Sequence, residues 1–270
     1  MAEEKVKLTV NGRIATIQLN NPKQLNAMTA DDYYRIGVLM HHVATLPEVY
    51  ITVLTGTGRF FSAGADVSIS RGVPAGEDTK RHYLKTFVAN NLHIARAFYT
   101  HPKILVVALN GPAVGMSAAL TAFGDFVYAT PDTFLLTPFS SLGLVAEGAA
   151  SRAFVQRLGI SKANEVLIQS KRLTIDELVQ TGYVNKVFQT KKGDDKAFLA
   201  EVMKEIDDRM GSHLNQDSLV KIKELIRKPE RDIMDQQNVA EVFSGLERFV
   251  SGAPVEEFRK IASGEKKHKL

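Results

Sequence analysis

The fold of this chain is decided by residues 110–148, which begin NGPAVGMSAA (110–119) and end PFSSLGLVAEG (138–148). The apolar run Ile104–Leu109 predicts a buried strand that leads directly into the Gly- and Pro-rich turn. A helix of small residues is predicted to begin near Gly115, which leaves backbone N–H groups without partners at its N-terminus. Glu147 is a lone carboxylate in an apolar segment further along. Donors at one end and a base at the other indicate chemistry on an acidic C–H beside a carbonyl.

Length and composition are those of an ordinary globular protein. The 270 residues allow one large α/β domain or two small ones. The chain has no cysteine, so disulfides and cysteine metal sites are excluded. The net charge of +4 is interpreted as lysines that are exposed to solvent at the surface. The alternative interpretation is that the positive charge attracts an anionic ligand. There is no apolar run of about 18 residues, so no membrane span is expected. The N-terminus is acidic and lacks an apolar run, which argues against a secretory signal peptide, and its Glu3-Glu4 pair argues against an amphipathic transit peptide.

The first part of the chain alternates strand and helix patterns. Val6–Val10 and Ile14–Leu19 each alternate apolar and polar residues, and Asn11-Gly12 between them is the strongest short signal for a hairpin. Thr29 has the position of an N-cap at the start of a helix. Tyr50–Leu54 is a β-branched apolar run that predicts a buried parallel strand. The alternation predicts an α/β fold with parallel strands.

The pattern changes at residue 195, after which helical patterns follow one another without a strand signal. A helical segment of this size is small to hold a core alone, so it is expected to pack on the first region or on another subunit. We therefore predict a core with the active site at 1–194, a helical oligomerisation region at 195–263 and a basic tail at 264–270.

Motifs of several other enzyme classes fail in this sequence. Gly56-Thr57-Gly58 follows a predicted strand, but the third glycine of a dinucleotide fingerprint would fall at Phe61. The Gly-x-Ser-x-Gly motif of serine hydrolases fails at Ala119, and the phosphate-loop pattern is absent. None of the seven histidines has zinc-protease spacing, so no metal site is predicted.

Three features stay open on residue patterns alone. Apolar neighbours favour Glu147 as a general base, but it is equally compatible with the first turn of a predicted helix 148–158. The small residues 62–65 would let a ligand approach the backbone, or they form a plain strand-to-helix loop. Asn91 lies within a predicted helix, 81–99, where it either bonds locally or faces a pocket.

Two segments resemble the signature motifs of the enoyl-CoA hydratase/isomerase (crotonase) superfamily. They are FSAGAD (61–66) and NGPAVG (110–115), and their order and spacing are similar to those of the family. Asn21-Pro22, Asn26-Ala27-Met28 and Gly182-Tyr183-Val184 are similar as well, so the resemblance covers nearly the whole chain from about Val6. It implies an α/β fold with a crotonase-type spiral core of repeated ββα units and a C-terminal helical trimerisation region.

The resemblance also implies a substrate and a site. The substrate would be a CoA thioester, with the backbone N–H groups of Ala65 and Met116 as the oxyanion hole. No cofactor is expected beyond this substrate, because the thioester itself acidifies C2. The further substrate-binding residues that it implies are Ala63, Gly64, Asp66, Val67 and Asn91.

Carboxylates distinguish the reactions of this superfamily. Hydratases carry two glutamates, at positions that correspond to Ala119 and Phe139, and both are missing here. Dienoyl-CoA isomerases use acidic residues at the Phe139 position and near Glu147, and only the latter is present. The pattern is most similar to the fungal peroxisomal Δ3,Δ2-enoyl-CoA isomerases, in which a single Glu at the Glu147 position carries the proton. The alternatives are a dienoyl-CoA isomerase, a weak hydratase, or a non-catalytic relative that binds acyl-CoA or RNA.

The C-terminal residues His268-Lys269-Leu270 resemble the Ser-Lys-Leu peroxisomal address, with His in place of Ser. The alternative is an untargeted basic tail. We therefore expect a peroxisomal matrix enzyme that is recognised by the import receptor. The resemblance implies a homotrimer or a dimer of trimers, with no nucleic-acid partner.

Overall fold

The computed structural model describes residues 4–66 and 72–266, in which two β-sheets are surrounded by helices. The strands are β1 (Val6–Asn11), β2 (Ile14–Leu19), β3 (Ile51–Gly56), β4 (Ile104–Leu109), β5 (Ala113–Val114), β6 (Phe126–Ala129), β7 (Phe134–Leu136), β8 (Leu173–Thr174) and β9 (Lys186–Val187). The α-helices are α1 (Ala30–Thr45), α2 (Thr79–Tyr83), α3 (Ala89–Tyr99), α4 (Met116–Thr121), α5 (Ala150–Leu158), α6 (Ile160–Leu167), α7 (Ile175–Gln180), α8 (Asp195–Met210), α9 (Gln216–Arg227), α10 (Arg231–Val250) and α11 (Ala253–Ala262). A π-helical turn, Leu84–Val88, joins α2 to α3.

The larger sheet has the strand order β1-β2-β3-β4-β6-β9. β1 and β2 form the predicted antiparallel hairpin, and Gly12 takes a positive φ of 54° in its turn. The remaining pairings in this sheet are parallel, as the alternation of strands and helices predicts. Thr29 caps α1, because its side chain accepts a hydrogen bond from the Asp32 N–H and Asp32 returns one to Thr29.

Alternate side chains of β4 enter two apolar clusters on opposite faces of the sheet. Leu105, Val107 and Leu109 belong to the larger cluster, which extends through α1, α3 and α5. Ile104, Val106 and Ala108 pack with residues of α8. Burial on both faces explains why this strand is an uninterrupted apolar run.

β6 and β7 follow each other along the chain, with Pro131-Asp132 in the turn between them, yet they lie in different sheets. β7 pairs with β5 and β8 in a three-stranded sheet. The sequence pattern predicts neither β5 nor β8, because strands of two residues are too short to show any periodicity.

The C-terminal helices pack on the rest of the same chain. Asp125, which directly precedes β6, forms ion pairs with two residues of α9: Lys223 Nζ at 2.7 Å and Arg227 at 2.8 Å. Burial alone would raise the pKa of Asp125, but the two cations hold it below its ordinary value. This cluster anchors the helical region to the central sheet.

Candidate functional site

The two motif segments run side by side in parallel register. Ser62 is bridged to Ala113, and the N–H of Val114 donates to the Ser62 carbonyl oxygen at 2.9 Å. The bridge is isolated, and beyond it Gly64 lies against Val114 and Gly115. Ala65 and Met116 directly follow these two glycines, so the predicted donors come at the ends of two neighbouring segments. Their joint donation to one oxygen stays a prediction.

Glycines allow the two segments to approach this closely. Gly64 has a φ of +88°, and a Cβ at this position would lie 2.8 Å from the Val114 carbonyl oxygen. Gly115 has a φ of +66°, and its Cβ would lie 4.0 Å from the Cα of Gly64. Each glycine directly precedes one of the candidate donors, so a side chain at Gly64 would push the two donors apart.

The N–H groups of Ala65 and Met116 are not used by the surrounding backbone. Met28 donates to the Gly64 carbonyl oxygen and accepts from the Asp66 N–H, both at 2.8 Å, so the N–H of Ala65 between them is directed away from Met28. Met116 is the first residue of α4, where N–H groups lack acceptors within the helix. Within residues 4–66 and 72–266, neither amide has a hydrogen-bond acceptor. Ala65 is exposed and Met116 is half-buried, so a ligand can reach both.

Two buried asparagines hold the loop that ends at Ala65. The Asn26 side-chain nitrogen donates to the carbonyl oxygens of Phe60 at 2.8 Å and Phe61 at 3.1 Å. Asn110 accepts from the Gly56 N–H at 3.0 Å and donates to the Phe60 carbonyl oxygen at 3.0 Å. Both asparagines lie in segments that carry the family resemblance, but no local sequence pattern indicates this positioning role.

Glu147 lies in the connection between the short 3₁₀ helix Ser140–Leu142 and α5, and it is half-buried. The predicted helix 148–158 begins instead at Ala150, so Glu147 precedes it and does not occupy its first turn. A Cβ on the next residue, Gly148, would lie 3.7 Å from Met116 Cγ. Glu147 is therefore next to a residue that packs on the second candidate donor.

The other predicted site residues are placed as follows. Ala63 and Asp66 are half-buried beside Ala65, and Gly64 is buried. Val67 lies outside the described residues. Asn91 is buried in α3, and within the described part of the chain its side-chain nitrogen has no acceptor. That nitrogen does not donate to Glu147, so a role in orienting Glu147 stays a prediction.

The two positions at which the resemblance places hydratase carboxylates hold apolar side chains. Ala119 is completely buried and Phe139 is 3% exposed, and both belong to the larger apolar cluster. Both side chains therefore pack in the apolar core, at the positions where the resemblance places the two carboxylates of a hydratase.

Two further properties bear on the function. Across the described ranges, no three His, Cys, Asp or Glu side chains are grouped in a way that could hold a metal ion. No helix among the same residues is both long and apolar enough to span a membrane.

Sequence comparison finds relatives along nearly the whole chain. The family described as "Enoyl-CoA hydratase/isomerase" matches residues 9–250. The "Delta(3,5)-Delta(2,4)-dienoyl-CoA isomerase" of Pyricularia oryzae is 60% identical over 270 residues, which cover 96% of each chain. The "3,2-trans-enoyl-CoA isomerase" of Saccharomyces cerevisiae is 34% identical over 276 residues, 99% of this chain and 97% of the relative. The "Enoyl-CoA delta isomerase 3, peroxisomal" of Mus musculus is 32% identical over 269 residues, 96% of this chain and 79% of the relative.

Structure comparison supports the same fold. The crystal structure of an enoyl-CoA hydratase/isomerase from Pseudoalteromonas atlantica matches with a TM-score of 0.83. The match covers 99% of this chain and 100% of the other, at 24% sequence identity. At this identity the match describes the fold, which is the spiral core with C-terminal helices that the sequence resemblance predicts.

Proposed function

The chain belongs to the enoyl-CoA hydratase/isomerase family and is an isomerase, and from this premise we propose that it converts cis- or trans-3-enoyl-CoA to 2-enoyl-CoA. One observation supports the proposal: the amides of Ala65 and Met116, which the surrounding backbone does not use, follow two glycines that lie close together, and Gly148, the neighbour of Glu147, lies beside Met116. Two donors and one carboxylate are the groups that a 1,3-proton shift requires.

The first step is removal of a proton from C2. The thioester oxygen accepts hydrogen bonds from the two amides, and the Glu147 carboxylate takes the C2 proton. The C–H electron pair enters the conjugated system, and negative charge develops on the thioester oxygen as a dienolate. Donors placed at this oxygen stabilise the transition state, and each is typically worth about 10² to 10³ in rate.

The second step returns the same proton to C4. Glu147 is now a carboxylic acid on the face of the substrate from which the proton came. When C4 accepts the proton, the double bond moves from C3 to C2, where it is conjugated with the thioester. The step restores the Glu147 carboxylate, consumes no water and changes no oxidation state, so no cofactor is required by the chemistry.

A dienoyl-CoA isomerase is the second candidate, and the name of the Pyricularia oryzae relative favours it. In this reaction the double bonds move from positions 3 and 5 to positions 2 and 4, so the proton must reach C6. That distance is longer, and the family resemblance implies a second acid at the position of Phe139. Phe139 is a buried apolar residue in this chain, and for this reason we favour the shorter shift.

A panel of three substrates tests the choice. The purified protein is given 3-enoyl-CoA, 3,5-dienoyl-CoA and 2-enoyl-CoA of matched chain length, and kcat/KM is measured for isomerisation of the first two and hydration of the third. We expect the highest value for 3-enoyl-CoA. A higher value for 3,5-dienoyl-CoA would replace the proposal with the second candidate, and dominant hydration would contradict both.

We expect the isomerase to act in the peroxisomal matrix. The support is the similarity of His268-Lys269-Leu270 to a peroxisomal address and the name of the mouse relative. The three C-terminal residues lie outside the described part of the chain. A fluorescent fusion at the N-terminus should enter peroxisomes, and deletion of the last three residues should leave it in the cytosol. Import that survives the deletion would contradict recognition of this tail by the import receptor.

We also expect self-association into a trimer or a dimer of trimers. The support is the family resemblance, together with apolar side chains on α9 that are exposed in the single chain, such as Leu225 (70%) and Ile226 (65%). Light scattering after size-exclusion chromatography should give the mass of three or six chains, and a monomeric mass would contradict it.

A further inference from the structure

One face of α10 contacts the segment 143–151, which carries Glu147, at both of its ends and between them. At the start of the segment, Arg248 Nε donates to the Gly143 carbonyl oxygen at 2.9 Å. In the middle, a Cβ on Gly245 would lie 3.8 Å from the Val145 side chain. At the end, Glu241 bonds to Ser151. The three α10 residues are spaced by four and three positions, so they share one helix face.

The contact at the end of the segment is the most buried of the three. Glu241 is only 6% exposed. Its Oε1 accepts a hydrogen bond from the Ser151 N–H at 2.7 Å and a short one from the Ser151 hydroxyl. The side-chain nitrogen of Gln237 donates to the same hydroxyl at 2.7 Å. Ser151 is thus fixed through its backbone and its side chain by two residues of α10.

Glu241 supplies the cap that α5 lacks in its own sequence. The N-cap residue is Ala149, which has no side-chain acceptor for the first amides of the helix. Glu241 brings a carboxylate to these amides from a residue 90 positions away in the sequence. A negative charge is favoured at a helix N-terminus. Burial raises the pKa of Glu241 above its ordinary value, and the hydrogen bonds from Ser151 oppose that rise.

The backbone between Glu147 and α5 depends on such a constraint. Gly148 and Ala149 have φ values of +73° and +57°. The left-handed conformation is unfavourable for an alanine, and it persists only where the surroundings enforce it. The carbonyl oxygen of Glu147 accepts a long hydrogen bond, 3.4 Å, from the Ala150 N–H. Glu241 therefore holds the helix that begins three residues after Glu147.

We propose that Glu241 is a positioning residue: by capping α5 it fixes the turn 147–149 and so places the Glu147 carboxylate beside the amides of Ala65 and Met116. The inference rests on the proposed function, because it assigns Glu241 a role through Glu147. Glu241 itself touches Ser151 and is not proposed to touch the substrate.

Two variants of Glu241 and one control test this role. Glu241→Ala removes the acceptor, and kcat for 3-enoyl-CoA should fall about tenfold to a hundredfold, because a small misplacement of a reacting group has effects of this size. KM should change less than twofold, since the amides that hold the thioester lie on other elements. Glu241→Gln keeps an acceptor oxygen and should recover kcat to within about fivefold of wild type. The control, Asp235→Asn, alters an α10 carboxylate that accepts from the Tyr99 hydroxyl and does not contact segment 143–151, so kcat should stay unchanged.

Hydrogen exchange on the same proteins separates this inference from the proposed function. Amides of residues 144–152 should lose protection in Glu241→Ala and keep it in Asp235→Asn, whatever reaction the enzyme catalyses. Ser151→Ala is a milder variant that removes one hydroxyl; it should fold and show a smaller loss of kcat with the same KM. The inference is overturned if Glu241→Ala keeps kcat within twofold of wild type, if it loses kcat with protection of 144–152 unchanged, or if Asp235→Asn loses as much kcat. Absence of 3-enoyl-CoA turnover in the wild type would instead overturn the proposed function, and the exchange result would still report on the cap.

Discussion

The donor side and the base side of the site are held in different ways. Ala65 and Met116 are held by backbone pairing between two turns, by glycines that allow the close approach, and by buried asparagine side chains. The segment 143–151, which carries Glu147, is contacted by side chains of a helix from the far end of the sequence, among them Glu241 and Arg248. Changes in the core motifs should therefore act on stabilisation of the oxyanion, and changes in α10 should act on placement of the base.

The largest effect should come from removing the base itself. Glu147→Gln keeps the shape of the side chain but cannot accept the C2 proton, so kcat for 3-enoyl-CoA should fall about 10³-fold or more. Binding of a saturated acyl-CoA, measured by calorimetry, should keep its Kd within about threefold, because the amides are untouched. Glu257→Gln is a matched control, since Glu257 is a partly buried glutamate of α11 that pairs with Lys260 and Lys266. The control should keep full activity, and equal losses in both variants would contradict the role of Glu147.

The donor side is tested by Gly64→Ala. A Cβ there would lie 2.8 Å from the Val114 carbonyl oxygen, so the two turns must separate and at least one donor should move. We expect kcat/KM to fall about 10²-fold, the usual cost of losing one oxyanion donor. Gly12→Ala is the control: Gly12 also has a positive φ, but a Cβ there would meet nothing within 4 Å. Equal losses of kcat/KM in both alanine variants would contradict the prediction that activity depends on the close approach of the two turns.

A smaller effect is expected where α10 holds the start of segment 143–151. Arg248→Met keeps the length of the side chain but removes the hydrogen bond to the Gly143 carbonyl oxygen. We expect kcat to fall about threefold to tenfold with KM unchanged, because the contact lies further from Glu147 than the Glu241 cap does. An increase in KM without a change in kcat would indicate that this part of α10 serves substrate binding instead.

The smallest effect on turnover, but a large one on stability, is expected for Asp125→Asn. The change leaves Lys223, which is 9% exposed, as a buried charge without its partner, and breaking such a pair costs about 3–5 kcal/mol. Asp125 touches neither the donors nor segment 143–151, so kcat at a temperature below unfolding should change less than twofold. Denaturant unfolding measures the loss, and Asp208→Asn, at an exposed pair with Lys204, should change the free energy of unfolding little.

Asp125 also makes the stability of the fold depend on pH, and the stability should fall as the solution becomes more acidic. Its pKa is lower in the folded chain than the ordinary value of 3.8. The unfolded state therefore binds the proton first, so the stabilisation is fully present above pH 3.8 and is lost as the pH falls through the lower folded value. Acid unfolding of the wild type should show this component below about pH 4, and Asp125→Asn should lack it. A variant with an unchanged acid profile would contradict the assignment.

The sequence predicted those parts of the fold whose signals are local. The hairpin at Asn11-Gly12, the capped start of α1 and the buried run of β4 each depend on a few adjacent residues, and all three are present. The two donor positions were implied by the family resemblance and stay a prediction. The close approach of the glycines that precede them, Gly64 and Gly115, is visible only in the structure, because it joins segments that are distant in the sequence.

The contacts between α10 and the segment that carries Glu147 could not be predicted either, because they join residues that are distant in the sequence. In the sequence, Glu241 is one acid among the charged residues of an amphipathic helix, and such residues usually face solvent. Its contact with Ser151 joins residues 90 positions apart, and no periodicity reports on a contact of this kind. Two strands of the second sheet, β5 and β8, were not predicted, because each is only two residues long.

Isotope transfer can show whether one carboxylate carries the proton from C2 to C4. The enzyme is given 3-enoyl-CoA deuterated at C2, in ordinary water and in a single turnover, and the position of deuterium in the 2-enoyl-CoA product is determined by NMR. We expect part of the deuterium lost from C2 to appear at C4 of the same molecule. A product whose C4 carries only hydrogen from water, at every pH at which the enzyme turns over, would contradict a single carrier at Glu147.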